Sequence, residues 1–251
     1  MNRALILFKP GLHYRKDMFA EGLRTVGYKA VASLPDPRPG DLLVIWNRTG
    51  ESHSRARQFE AAKAKVLVVE NGYLGKEWRG EQWFAISHNH HNGAGTWPQG
   101  GPERWDSWGI ELAPWRTKGK ECVILAQRGI GEQHLRAPDG WLNLAVSTTK
   151  GRIRRHPGTT KGVSLEDDLK HASSAATWAS GAAIKALMMG VPVFFDMPKW
   201  VGAGAARRLA EFKKGPLCDD VARLAMFRRL AWAQWSASEI ESGFAFKELL
   251  K

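Results

Sequence analysis

With 251 residues, 43% of them hydrophobic, the chain can bury one large core or two small ones. No apolar run reaches the roughly 18 residues of a membrane-spanning helix, and two cysteines, Cys122 and Cys218, make no disulfide framework, which points to a reducing cytosol. The net charge of +12 is lopsided, +3 over residues 1–115 and +9 over 116–251, so the second half reads either as facing a polyanionic or phosphorylated partner or as a surface tuned for solubility.

In chain order, "ALILF" (4–8) predicts a strand, ended by Pro10 and Gly11 and too short for a signal peptide. Residues 15–27 carry helical spacing at Met18, Phe19, Leu23 and Val26. "DLLVIW" (41–46) is a strand, 52–64 a helix, "KVLVVE" (65–70) a strand and "WFAIS" (83–87) another. From His88 to Lys120 the chain is rich in Gly, Pro, Trp and His and reads as a long loop and a linker. A second series follows: strand 122–127, helix 139–149, strand 151–156, helix 164–172 with Ser164 as its cap, strand 175–180, a short Ala-rich helix, strand 191–195, and terminal helices over 204–215 and 219–235. Strands alternating with helices imply parallel sheets. The expectation is two Rossmann-like α/β domains, 1–115 and 116–251, with a cleft between them. Most of the twelve tryptophans are expected in cores, with some free to stack on bases or sugars.

Ligands of open parallel sheets bind beyond the carboxyl ends of the strands. Three such ends in the second half carry polar residues. "AQRGIGEQ" offers Gln127, Arg128 and Gly129; "RIRRHPG" offers Arg154, His156 and Pro157; and "TWASGAAIK" offers Thr177, Ser180, Gly181 and Lys185. Small residues at a strand-to-helix turn let an anion approach backbone N–H groups, so the last turn reads as a phosphate or diphosphate holder. Singly, Ser180 could be only a helix cap and His156 only a turn residue; it is their conjunction that points to a site. In the first half Glu70 ends a strand, and His88 and His90 follow on the next. A two-His pair without Cys or acid nearby is a weak metal signal, and "EDD" (166–168) falls in a helix's first turn, where acids suit the helix dipole, so no metal site is expected. "GAGAA" (202–206) lacks the strand and acid of a dinucleotide fingerprint.

Several segments together resemble capsule polysaccharide Kdo transferases. "VVENGYLGK" (68–76) is similar to their E-D-G-F-L-R segment, "RRHPG" to their R-x-HP motif, and "TWASGAAIKALMMGVPVFF" to their serine motif and E-A-L-x-x-G-x-P-V segment. "GIELAPWRTKGKECVILAQRGIGE" also resembles short phage-encoded glycosyltransferase-like proteins. The resemblance spans about Val68 to Trp200. It implies a GT-B glycosyltransferase, with the nucleotide sugar, a UDP-sugar by expectation, on the second domain and the acceptor on the first. Asn71, Gly75, Arg155 and Lys185 depart from the family pattern, which leaves the donor sugar and the stereochemistry open.

In that frame Glu70, His88 and His90 are the candidate catalytic residues. The donor falls to Gln127, Arg128, Gly129, Arg154, His156, Pro157, Thr177, Ser180, Gly181 and Lys185, and the acceptor to Lys9, His13, Arg48, Asn71 and His91. The basic second half, with Arg207, Arg208, Lys213, Lys214, Arg223, Arg228 and Arg229, favours DNA carrying a hydroxymethylated base as acceptor, in the host cytoplasm if the chain is phage-encoded. The alternatives are a capsule or cell-surface saccharide, for which basic stretches 206–215 and 222–232 could touch a membrane surface, and a nucleic-acid-binding protein that kept the fold and lost catalysis.

Overall fold

The computed structural model describes residues 1–127, 135–156 and 163–251. In chain order its elements are β1 (Asn2–Leu7), α1 (Lys16–Thr25), β2 (Tyr28–Val31), β3 (Leu42–Trp46), α2 (Gly50–Ala61), β4 (Lys65–Asn71), β5 (Glu77–Trp78) and β6 (Glu81–His88). Then come α3 (Glu103–Asp106), β7 (Glu121–Leu125), α4 (Trp141–Thr149), β8 (Arg152–Arg154), α5 (Leu165–Leu169), β9 (Ala172–Thr177), α6 (Ala182–Met188), β10 (Val193–Phe195), β11 (Arg207–Arg208) and α7 (Asp220–Ala231). Three C-terminal elements close the chain: β12 (Gln234–Ser236), α8 (Ala237–Glu241) and α9 (Phe244–Leu249). No helix among the described residues is long and apolar enough to cross a membrane.

The elements form two compact units. The first holds Met1–His91, Gly95–Gly100 and Ala231–Lys251; the second holds Asn92–Ala94 and Gly101–Leu230. The chain therefore divides differently from the expected 1–115 and 116–251, and its C-terminus belongs to the first unit.

The sheet of the first unit runs β12-β6-β4-β3-β1-β2, with β5 paired to β6. β1 to β4 are mutually parallel, while β6 runs antiparallel to β4 and β12 antiparallel to β6. The central strands read as continuous apolar runs because both faces are covered. Ala4, Ile6, Leu42, Val44, Leu67 and Val69 face one core with Phe19 and Phe246, and Leu5, Leu43, Ile45, Val66 and Val68 face another with Ala56 and Phe59 of α2. On α1, Gly22 lies against α8: a Cβ there would meet the Ile240 carbonyl oxygen at 1.8 Å, so only glycine lets α8 lie this close.

Two C-terminal expectations are corrected. The helix expected over 204–215 is broken by β11, which pairs with Phe194 and Phe195 and is flanked by short 3-10 turns, Ala203–Ala205 and Leu209–Lys214. The helix expected over 219–235 stops at Ala231, and Gln234, Trp235 and Ser236 pair with Ala85, Phe84 and Trp83 of β6. Trp235 is fully buried there, which outweighs its helical periodicity. β2, missed in the sequence, is a four-residue edge strand with Lys29 and Ala30 exposed.

The second unit's sheet, β11-β10-β9-β7-β8, is parallel at every described pairing. Ile124, Ala176 and Phe194 pack with Trp141 and Ala145 of α4 on one face. Ser164 caps α5 as expected, accepting from the Asp167 amide at 3.0 Å and donating to its carboxylate at 2.7 Å.

Candidate active site

The carboxyl ends of β1, β3 and β4 lie along one edge of the first sheet. Glu70 is the last but one residue of β4. Strand alternation places it on the same face as Val66 and Val68, towards α2. Across the sheet it opposes Ala85, which opposes Gln234 in turn, so a small residue separates two polar ones. Burial pushes the Glu70 carboxyl above the usual carboxylate range, and the nearby His91 imidazole partly offsets this. His91 is itself buried, and its Nδ1 has no hydrogen-bond partner among the described residues.

The loop carrying His91 is fixed from several sides. The Asn89 amide donates to Val66 O at 3.0 Å, Ser87 Oγ donates to the His90 carbonyl, and Arg48 Nη1 donates to Asn89 O at 2.5 Å. Of the other two candidate histidines, His88 does not join Glu70. His88 opposes Leu67, three residues back along β4, and its Nε2 lies 2.7 Å from Leu249 O. Burial lowers its pKa, so it is a neutral ring tying down the C-terminus. His90 acts electrostatically on Glu60. His88 is not placed for catalysis beside Glu70.

Of the expected acceptor residues, Lys9 and Asn71 are exposed at the ends of β1 and β4. Arg48 is not available. It is 2% exposed and makes a two-pronged ion pair with Glu60 at 2.5 and 2.8 Å, which holds that carboxyl below its ordinary pKa. His13 sits half-buried in an aromatic group that the sequence did not single out: its ring centroid lies 5.0 Å from Tyr14 and 5.3 Å from Trp46, and Tyr14 lies 4.9 Å from Trp46, all edge to face. Burial lowers the His13 pKa, with help from Lys76.

In the second unit, Leu125 pairs with both Arg154 and Thr177, so the ends of β8, β7 and β9 form one row. The turn after β9 is built by side chains that the sequence offered as donor ligands. Thr177 is fully buried, and its Oγ1 accepts from the Ser180 amide at 2.8 Å. Gln127 Oε1 accepts from the Ala179 amide at 2.9 Å. Both therefore shape the turn. Ser180 Oγ accepts from the Ala182 amide at 3.2 Å, which leaves its hydrogen to donate outward. Gly181 has φ −60° and ψ −27°, and a Cβ there would meet nothing within 4 Å, so the chain's own packing does not require glycine at this position. Lys185, on α6, is half-buried.

Arg154 is a correction. Its Nε lies 2.6 Å from Asp168 Oδ2 and its Nη2 donates to Val163 O at 3.2 Å, so it ties β8 to α5 rather than standing free for an anion. His156, two residues on, is half-buried. Arg128, Gly129 and Pro157 lie outside the described residues. A polar strand end that the sequence left unused is Asp196, after β10, whose Oδ2 accepts from Trp141 Nε1 at 2.8 Å. Among the described residues no group of three or more His, Cys, Asp or Glu could share a metal ion.

Of the basic run expected to track DNA phosphates, one residue is buried and several have partners of their own. Arg223 is 3% exposed, donates to Ala113 O and Leu187 O, pairs with Asp220 at 2.7 Å and lies over Trp115. Arg228 pairs with Asp106 and Lys214 with Glu211; Arg207 donates to the Lys214 and Gly215 carbonyls, and Arg208 lies over Phe195.

Two α/β units, one with a sheet parallel through β1 to β4 and one parallel at every described pairing, make this a Rossmann-like, GT-B-type fold. Among solved structures, KpsC of Thermosulfurimonas dismutans, a beta Kdo 2,7 transferase, matches over 98% of this chain and 99% of its own at TM-score 0.58 and 13% identity. A beta Kdo 2,4 transferase, also KpsC of Thermosulfurimonas dismutans, matches over 92% and 89% at TM-score 0.53 and 15% identity. No family model and no curated protein matches the chain.

Proposed function

We propose that the chain is a nucleotide-sugar-dependent glycosyltransferase. The observation that carries this reading is positional. The three segments resembling transferase motifs fall at carboxyl strand ends, Glu70 at β4, His156 beyond β8 and Ser180–Gly181 beyond β9, in a fold shared almost end to end with two Kdo transferases. In this reading the donor, a UDP-sugar or another nucleotide sugar, sets its diphosphate against the open Gly181 turn. The Ser180 hydroxyl donates to it, and Lys185 and His156 offset the charge that develops as the nucleotide departs, with no metal required. Thr177 and Gln127 hold the turn in shape. In the first unit Glu70 accepts the proton of the acceptor hydroxyl. A carboxyl whose pKa is raised by burial is closer to the operating pH, where a general base works best.

A saccharide is the acceptor the observations favour. Trp46 ends β3 and packs edge to face with Tyr14, on the sheet face opposite Glu70, and aromatic faces at strand ends stack on sugars. DNA remains as a second reading on the net charge of +12, weakened because Arg223 is buried and Arg207, Arg208, Lys214 and Arg228 have partners within the chain.

The test is thermal unfolding of the full chain with UDP-, GDP- and CMP-sugars, followed by an assay of nucleotide release. A ligand at about a hundred times its Kd stabilises by about 2.7 kcal/mol. No stabilisation by any of these donors overturns the reading.

A further inference from the structure

The segment between β1 and α1 has an unusual surface. Leu12 is 98% exposed at its tip. Lys9, Arg15 and Lys16 around it are exposed as well. The tip is held rather than loose. The Tyr14 amide donates to Gly11 O at 3.1 Å and the Arg15 amide to Leu12 O at 3.3 Å, closing a 3-10 turn over Leu12–Tyr14. Gly11 at φ 146° and Arg15 at φ 46° set its entry and exit. Beneath it Phe8, Tyr14 and Trp46 pack ring on ring, and Gln82 Nε2 donates to the His13 carbonyl at 2.9 Å. That last bond brings the β5–β6 hairpin alongside. The hairpin adds exposed Lys76 and Arg79, the latter 4.6 Å over the half-buried Trp78 ring. The exposed acids on the two segments are Asp17 and Glu77, so cations outnumber them.

An apolar side chain presented in full on a braced turn, ringed by cations and backed by aromatic rings, matches a lipid headgroup layer. Each part gains there. A leucine removed from water gains roughly 10- to 100-fold in partition. Each lysine or arginine near an anionic bilayer adds about fivefold. Rings such as Tyr14 and Trp78 suit the interface between water and acyl chains. A nucleic acid would use the cations but gain nothing from Leu12. The terminal basic stretches expected to meet a membrane are less suited, because Arg223 is buried and Arg228 is paired.

We propose that the turn of residues 9–16, with the neighbouring hairpin, docks the protein peripherally on an anionic lipid bilayer, Leu12 entering the headgroup region. This proposal stands apart from the transferase reading, since it concerns attachment and not turnover.

The experiment is flotation of the full chain with vesicles of phosphatidylcholine alone and of phosphatidylcholine mixed with phosphatidylserine, at low and high salt. Binding to the mixed vesicles that weakens with salt is the expected result. Leu12→Asn should lower it roughly tenfold, and Lys16→Glu by at least fivefold. Both positions are exposed, so thermal unfolding should be unchanged, which separates lost docking from lost folding. Absence of binding to the mixed vesicles overturns the proposal. So does a Leu12→Asn variant that binds like the parent while Lys16→Glu does not, which would make the turn a general polyanion contact such as a nucleic-acid one.

Discussion

Replacing Arg48 by Met decides between the role its place in the chain implied and the role its bonds imply. The side chain is 3% exposed and its partner Glu60 is 33% exposed. The bonds lost include two to Glu60, one to Asn89 O and a longer one from Nε to His53 Nδ1 at 3.4 Å. Breaking a buried ion pair costs about 3–5 kcal/mol, but Glu60 can recover part of its hydration, so about 2–3 kcal/mol is the expected loss. Met keeps most of the buried stem, so little of this is a cavity effect. The melting temperature should fall by roughly 5–10 °C. The pH dependence adds a signature. Arg48 holds the Glu60 pKa below its ordinary value, so its contribution is full above the ordinary carboxylate pKa and is lost as pH falls through the depressed one. Circular dichroism melts should therefore show a gap between parent and variant at neutral pH that narrows in acid. An unchanged melting temperature with a raised KM for acceptor would refute this reasoning and return Arg48 to the acceptor site.

Gly22→Ala should destabilise the first unit by about 1–3 kcal/mol despite alanine's better helix propensity, because the new methyl group would overlap the Ile240 carbonyl; a gain in stability in denaturant titration would mean that α8 does not lie on α1. Glu70→Gln should abolish turnover while keeping donor-induced stabilisation. Because burial raises the Glu70 pKa, the parent loses stability as pH rises from the ordinary carboxylate pKa through the raised one, and the Gln variant should not, so near neutral pH it should melt no lower than the parent. Lys213→Glu with Lys214→Glu should leave nucleotide release unchanged, and a steep loss of salt-dependent DNA binding in this variant would revive the DNA reading.

What the sequence determined by itself was local. Apolar runs such as "DLLVIW" and "KVLVV" are strands because buried parallel strands need no polar alternation. The Ser164 cap is legible because the group it satisfies lies three residues away. Glu70, His156 and Ser180 could be placed at strand ends because a strand's direction and a following turn are set by adjacent residues. Tertiary structure decided whatever depended on distant partners. Arg48 and Glu60, Arg154 and Asp168, and Arg228 and Asp106 look in sequence like six solvated charges, and only folding turns them into pairs. Residues 234–236 continue an apparent helix until β6 offers an unpaired edge, and the ladder bonds and burial of Trp235 then outweigh a weak helical preference. The loop that sets His91 near Glu70 is likewise anchored from β4, β6 and Arg48 just beyond β3, and no spacing in the chain encodes such a meeting, because the energy that fixes it resides in contacts between segments and not within one.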